Sequence, residues 1–285
     1  MDIGQTTIKQ RTSGEPYNIF WTGDWHKGHV CHDAAALNKT IHTISDVARE
    51  EPTGVFLMGD LGDSIFPGDK RFNSSEVARV YKGMVDDQVR EIREAIRPIA
   101  PHILAAVTGN HEGAYTRHNY SDIYTRYTSE CSHPDFKRLG YVGFYRLLFV
   151  EAAGGNRRSL TCWLNHGKGG GGKREGYPKN KLHDLFRWID ADICAAGHIH
   201  KLEMDRKTFS GINAVGKFMR RVRWYLGTGC MLRTYVPGKE NYFEGAGAAE
   251  SDVGYVHARI VWKRPMTDRH RTNKPEIDMQ LKFID

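Results

Sequence analysis

The chain has 285 residues, with 41 Lys and Arg against 34 Asp and Glu, a formal net charge of +7 and a pI near 9.1. Its 40% apolar and 26% charged residues are ordinary for a folded globular protein and exclude wholesale disorder, and no apolar run reaches the roughly 20 residues that cross a bilayer. The opening MDIGQTTIKQRTSGEPY offers no apolar stretch for a signal peptide, and the five scattered cysteines make no CxxC pair, so neither a disulfide framework nor a thiolate zinc site is expected and the predicted location is cytoplasmic.

Residues 17–22 (YNIFWT), aromatic and β-branched, read as a buried strand that runs into Gly23-Asp24. Leu37, Ile41, Ile44 and Ala48 recur at helical spacing over 33–50, and Pro52 and Gly54 follow as stop signals. A short strand over 55–58 leads into Gly59-Asp60. Residues 75–97 carry a helical apolar period that includes Val77, Tyr81, Met84 and Ile92, closed by Pro98. A third strand, 102–107, leads into Gly109-Asn110-His111-Glu112. This alternation predicts parallel βαβ units, and the carboxyl ends of such strands are where ligands bind.

The second half is richer in strands. Residues 143–151 and 159–165 read as a hairpin around the turn-rich AAGGNRR, 181–189 as a short helix, and 191–196 as a strand entering Gly197-His198-Ile199-His200. Further strands are expected at 222–226 and 255–262, with a polar tail beyond Lys263. Without an internal repeat or a clear linker, residues 1–285 are expected to form one domain, an α/β fold of two packed sheets flanked by helices.

Five short motifs fall in order at predicted strand ends: Asp24-Trp25-His26, Gly59-Asp60, Gly109-Asn110-His111-Glu112, His166, and Gly197-His198-Ile199-His200. Each alone is common, and a lone histidine beside a strand is usually a hydrogen-bonded structural residue. Together the five resemble the signature of the calcineurin-like metallophosphoesterase superfamily over residues 17–200. The resemblance implies a four-layer α/β/β/α sandwich of two mixed sheets, with the remaining strands and a basic segment in 201–285. It also implies two divalent metal ions, one bound by Asp24, His26, Asp60 and His200, the other by Asp60, Asn110, His166 and His198, with Asp60 bridging. It further implies hydrolysis of phosphate esters by a metal-bridging hydroxide attacking in line with the leaving oxygen. Mixed carboxylate, amide and imidazole donors suit Mn²⁺, Fe or Zn²⁺, with Mn²⁺ favoured. His111 matches the family's catalytic histidine, which stabilises transition-state charge or protonates the leaving oxygen. Asp63 and Glu112 fit either a role orienting imidazoles or the plainer one of capping carboxylates.

Other features carry less. Gly167 to Lys173 satisfies G-x-x-x-x-G-K, but Arg174 stands where a P-loop needs Ser or Thr, and Gly176 and Pro178 argue against a sustained helix after it. Lys168, Lys173 and Arg174 are instead candidates to reach a substrate phosphate from a glycine-rich loop. His29 and Arg117 are further candidate substrate contacts beside their motifs. Between 206 and 223 stand Arg206, Lys207, Lys217, Arg220, Arg221 and Arg223 with no acidic residue and with interleaved aromatics, a candidate nucleic-acid surface or simply the solvated face of a hairpin. Basic charge and the glycine loop tilt the expected substrate toward phosphodiesters, including nucleic acid. The alternatives are a phosphomonoesterase acting on a nucleotide or phosphoprotein, and a catalytically silent scaffold of the same fold.

Overall fold

The structure, a computed structural model, describes residues 1–12, 14–78, 84–152, 157–169, 176–212, 216–239, 241–262 and 275–284. In chain order the strands are β1 (Asp2–Gln10), β2 (Pro16–Thr22), β3 (Thr53–Leu57), β4 (Ile103–Ala106), β5 (Lys137–Arg138), β6 (Val142–Glu151), β7 (Arg157–Asn165), β8 (Ile193–Ala196), β9 (Leu202–Ile212), β10 (Phe218–Thr228), β11 (Gly254–Val261) and β12 (Glu276–Phe283). The helices are α1 (Ala34–Glu50), α2 (Met84–Ile96), α3 (Asn110–Asn119), α4 (Ile123–Tyr127), α5 (Tyr177–Phe186) and α6 (Tyr242–Gly245).

Two six-stranded mixed sheets result, in the orders β1-β6-β7-β8-β10-β9 and β12-β11-β2-β3-β4-β5. The central strands β2, β3 and β4 pair in parallel, as do β7, β8 and β10. Their apolar residues point both ways, because both faces are covered. Ile19, Trp21, Phe56 and Leu104 face Tyr145, Leu147, Leu160 and Leu226 of the other sheet, whereas Phe20, Val55 and Leu57 pack under the helices with Leu37, Ile44 and Ile92. On the opposite outer face, Leu182 and Phe186 of α5 pack on Cys194 and Tyr225. The layers are therefore helix, sheet, sheet, helix, the α/β sandwich that the sequence pattern predicts.

Local chemistry explains the starts and stops. Asp33 caps α1 by accepting from the Ala36 amide at 2.9 Å and is held by Arg233 Nε at 2.6 Å. Pro52 follows the end of that helix at Glu51.

Four expectations need correction. Within 75–97 the described residues show a single 3₁₀ turn (Ser74–Glu76) and then α2; residues 79–83, with Tyr81, lie outside the described residues. A helix does follow Gly176: that glycine takes φ 77°, and Pro178 sits in the first turn of α5, where its missing N–H is no loss. The tail beyond 263 is not merely polar, since Ile277, Met279 and Leu281 alternate along β12 and turn toward the inter-sheet core. Finally, β1 was unexpected; its pairing with β6 is parallel and long-range, and its alternation of exposed and buried residues is built largely from Thr, Gln and Gly.

The hairpin of β9 and β10 is longer than β8 beside it. Only Trp224–Gly227 of β10 pairs with β8, so residues 218–223 and their β9 partners project past the amino end of β8.

Candidate metal centre

The sheet edge formed by the carboxyl ends of β2, β3, β4, β7 and β8 gathers all five motifs. Asp24 and His26 follow β2, Asp60 follows β3, Asn110 opens α3 after β4, His166 follows β7, and His198 and His200 follow β8. The backbone there is strained. Of seven described non-glycine residues with positive φ, five are Asp24 (48°), His26 (45°), Asp60 (48°), His198 (67°) and His200 (52°). Each left-handed conformation costs on the order of 1–3 kcal/mol and persists only where surroundings enforce it. Here it turns successive side chains inward from chain that has just left a strand.

Three overlapping clusters result among the described residues, two that adjoin and a third, His26, Asp60 and His111, that spans the join. In the first, Asp24, His26 and His200 present donor atoms within 4.8 Å of one another. His26 Nε2 and His200 Nε2 face each other at 3.1 Å, and His200 Nε2 lies 3.4 Å from Asp24 Oδ1. In the second, Asp60, His166 and His198 meet in the same way. His166 Nε2 is 3.1 Å from Asp60 Oδ2 and 3.0 Å from Asn110 Oδ1. The same Asp60 Oδ2 stands 4.0 Å from His26 Nε2, which places this oxygen between the clusters.

Hydrogen bonds aim these groups. His166 Nδ1–H donates to the Met58 carbonyl at 2.7 Å, so Nε2 is the atom turned to Asp60 and Asn110. The His198 amide donates to both Asp24 oxygens at 3.0 and 2.9 Å, tying the first motif to the last. The His111 amide donates to Asp60 Oδ1 at 2.9 Å, and His111 Nδ1–H donates to the Asp63 carbonyl.

The donor chemistry fits a cation. A carboxylate oxygen, an amide oxygen and an imidazole whose other nitrogen already donates converge with no proton to share, unless His166 carries two. Burial opposes that second proton, yet the Asp60 carboxylate overrides it and lifts His166 to about 10. A divalent ion among the three would remove the conflict by taking the place of that proton. Around them, burial and then the neighbouring His111 and His200 push His26 well below its ordinary value. Burial opposes ionisation of Asp60, but His166 and His111 hold it well below the carboxylate range.

Glu112 is fully buried and accepts three backbone amides: Asp60 and Gly109 at 3.0 Å and Leu61 at 2.7 Å. It orients no imidazole; it clamps the loop after β3 to the start of α3, the capping alternative. Burial and then Asp60 raise it to about 7. Asp63 does lie beside imidazoles, with Oδ1 3.9 Å from His26 Nδ1 and 3.7 Å from His111 Nδ1, and burial raises it to about 6. Two glycines are required by close approach. A Cβ on Gly109 would collide with the Asp60 carboxylate, and one on Gly59 (φ 85°) would sit 2.7 Å from His166 Nδ1.

The candidate substrate contacts fare unevenly. His29 is only 5% exposed and is engaged, its Nδ1 accepting from the Cys31 amide at 3.0 Å and its Nε2 3.6 Å from Glu76. Arg117 donates to Tyr141 Oη at 3.0 Å from the surface of α3, and Lys168 is exposed two residues past His166. Lys173 and Arg174 lie outside the described residues. Two neighbours of the centre went unremarked in the sequence. Phe243 packs its ring 5.8 Å from His200 and 6.4 Å from His29, and no motif marks it. Arg71, forked onto Asp69 at 3.1 and 2.8 Å, has its charge favoured first by that pair and then by Asp63 and Asp60.

Two mixed sheets with flanking helices, and these motifs at their strand ends, define an α/β fold of the metallophosphoesterase class. The chain belongs to the calcineurin-like phosphoesterase family, whose model matches residues 17–202. No curated protein matches it. Among solved structures it is similar to a predicted phosphoesterase from Streptococcus pneumoniae (11% identity, 93% of this chain and 98% of that one, TM-score 0.31). It is also similar to a Vps29 double mutant from Entamoeba histolytica (11%, 93% and 99%, 0.34) and to the NAD nucleotidase of Haemophilus influenzae (8%, 95% and 50%, 0.41). No helix among the described residues is long and apolar enough to cross a membrane.

Proposed function

We propose that the protein is a dinuclear metal-dependent phosphoesterase in which Asp24, His26, Asp60 and His200 hold one divalent cation and Asp60, Asn110, His166 and His198 the other. The observation that carries this reading is the convergence of imidazole nitrogens and the Asn110 amide oxygen around Asp60 Oδ2, with His166 on one side and His26 on the other. Two cations bound there would clamp phosphoryl oxygens and lower the pKa of a shared water.

The remaining work falls to the chain's own residues. His111 is turned by its Nδ1–H bond to the Asp63 carbonyl, which leaves Nε2 as its free nitrogen. In the metal-free chain burial opposes its charging, while Asp60 and Asp63 raise its pKa above the ordinary value. With cations on Asp60, its place beside the site and its fixed Nδ1–H suit it to give a proton from Nε2 to a leaving oxygen. Asp63 and Glu112 hold this arrangement by the contacts described above.

The net charge of +7 and an available acid for a poor leaving group favour phosphodiesters, with Mn²⁺ as the first metal to supply. Direct docking of nucleic acid on residues 206–223 is not part of this reading. Eight residue steps at about 3.3 Å each separate Arg220 from Thr228, the site end of β10, so the basic tip stands roughly 26 Å along the strand from that end, and Arg206 and Arg223 about half as far.

The test is Mn²⁺-dependent hydrolysis of bis(p-nitrophenyl) phosphate beside p-nitrophenyl phosphate, with bound metal counted. Wild type should carry two metals per chain and favour the diester. His111→Ala should keep both metals and lose about 10²- to 10⁴-fold in turnover. A wild type that binds two metals and cleaves neither ester would sink the catalytic reading.

A further inference from the structure

A cavity of about 790 Å³ opens beside the first cluster, lined by Val30, Ser75, Tyr235, Val236, Lys239 and Glu244 among others. Both walls are anchored on residues that touch the centre. Val30 follows His29, and Ser75 precedes Glu76, which stands 3.6 Å from His29 Nε2. Across the cavity, Glu244 follows Phe243, whose ring packs on His200 and His29. Anything seated there lies one layer of side chains, His29 and Phe243, away from the ligand set.

The wall chemistry is mixed. Val30, Val236 and Pro237 are apolar. The Tyr235 ring is 44% exposed and its position is set by the hydroxyl donating to the Ala248 carbonyl at 2.6 Å. Lys239 spends one of its protons on the Val30 carbonyl at 2.7 Å and has others to offer, while Glu244 supplies an acceptor. The volume lies within the roughly 300–1,000 Å³ of small-molecule sites and far exceeds a phosphate group.

On the reading of this centre as a phosphoesterase, we infer that the cavity is the subsite for a nucleoside attached to the scissile phosphate. A flat ring bearing both donors and acceptors matches an exposed tyrosine ring, an apolar floor and a Lys–Glu rim. An acyl chain would leave Lys239 and Glu244 unused. A peptide would need a strand edge or backbone groups to pair with, whereas the lining named here is side chains around a turn at residues 236–239.

The experiment compares two chromogenic diesters, thymidine 5′-(p-nitrophenyl) phosphate and bis(p-nitrophenyl) phosphate, in the Mn²⁺-loaded full chain, with calorimetric binding of thymidine 5′-monophosphate alongside. Ser75→Trp narrows the cavity from an exposed rim position, and Tyr235→Ala removes the ring; unchanged melting temperatures show that both fold. Wild type should prefer the nucleoside ester at least tenfold in kcat/KM. Each variant should lose most of that preference through KM, keep bis(p-nitrophenyl) phosphate turnover within twofold, and bind the monophosphate about tenfold more weakly. Equal kcat/KM for the two esters in wild type, or variants that keep both preference and affinity, would overturn the subsite. Binding that weakens in the variants while neither ester is cleaved upholds the subsite and removes the catalytic reading alone.

Discussion

The two ends of the β8–β10 sheet are built on opposite terms. At the carboxyl end, strained backbone, buried carboxylates and imidazoles meet at close range. At the other end, the β9–β10 hairpin runs in regular register into solvent. Its two faces differ as well. Arg221 and Arg223 pair with Asp190 at 2.9 and 2.5 Å, Arg223 also lying over the Phe209 ring, while Arg206 and Arg220, on the other face, lie over the Trp224 and Phe218 rings without an acidic partner among these contacts. Exposed ion pairs of this kind are worth about 0–1 kcal/mol, whereas each buried charge at the centre depends on its partners for several. Chemistry is concentrated where the fold tolerates least change, and the longest stretch of cationic sequence sits where it tolerates most.

The sharpest way to break that contrast is Asp60→Asn. Losing the shared carboxylate should reduce bound metal below two per chain and turnover by more than about 10²-fold, since even residues that only orient metal ligands are worth about 10–100-fold. Metal analysis beside kinetics checks it, and two retained metals would show that Asp60 does not bridge. Next comes Gly109→Ala, whose methyl meets the Asp60 carboxylate. Overpacking of this kind should cost about 1–3 kcal/mol in urea unfolding and lower activity as well, and a silent substitution would mean that the loop after β4 has slack.

A smaller effect concerns pH. Burial and then Lys282 lower His257 to about 4 in the folded chain, where its ring stacks on Phe20 at 4.3 Å. The unfolded value is near 6.5, so between about 6.5 and 4 the unfolded state binds the extra proton. Stability from this residue is therefore full above 6.5 and declines as pH falls through that window. His257→Gln should flatten the acid limb of the melting-temperature profile, and a slope equal to wild type would assign the acid sensitivity elsewhere. The smallest effect is expected on the hairpin. Arg221→Ala and Arg223→Ala should shift stability by no more than about 0.5–1 kcal/mol and leave small-ester turnover within twofold. A large loss of turnover would join the far end to the centre after all.

The five motifs were legible because strand-end Gly-Asp and Gly-Asn pairs are local: a left-handed residue after a strand needs Asp, Asn, His or Gly wherever the chain goes next. The strands of the parallel core were legible for a similar reason, as apolar runs of strand length are buried on both faces in any α/β sheet. By itself, then, the sequence determined the layers and the order of the central strands' motifs, and it named the side chains that the sheet ends bring together. Only the tertiary structure decided that Glu112 clamps backbone amides instead of an imidazole, that His29 is enclosed, that Phe243 walls the centre and that the cationic hairpin points away from it. Each of these depends on which distant segment arrives beside a residue and from which end of a sheet. Spacing along the chain does not encode that, and packing of the two sheets against each other settles it.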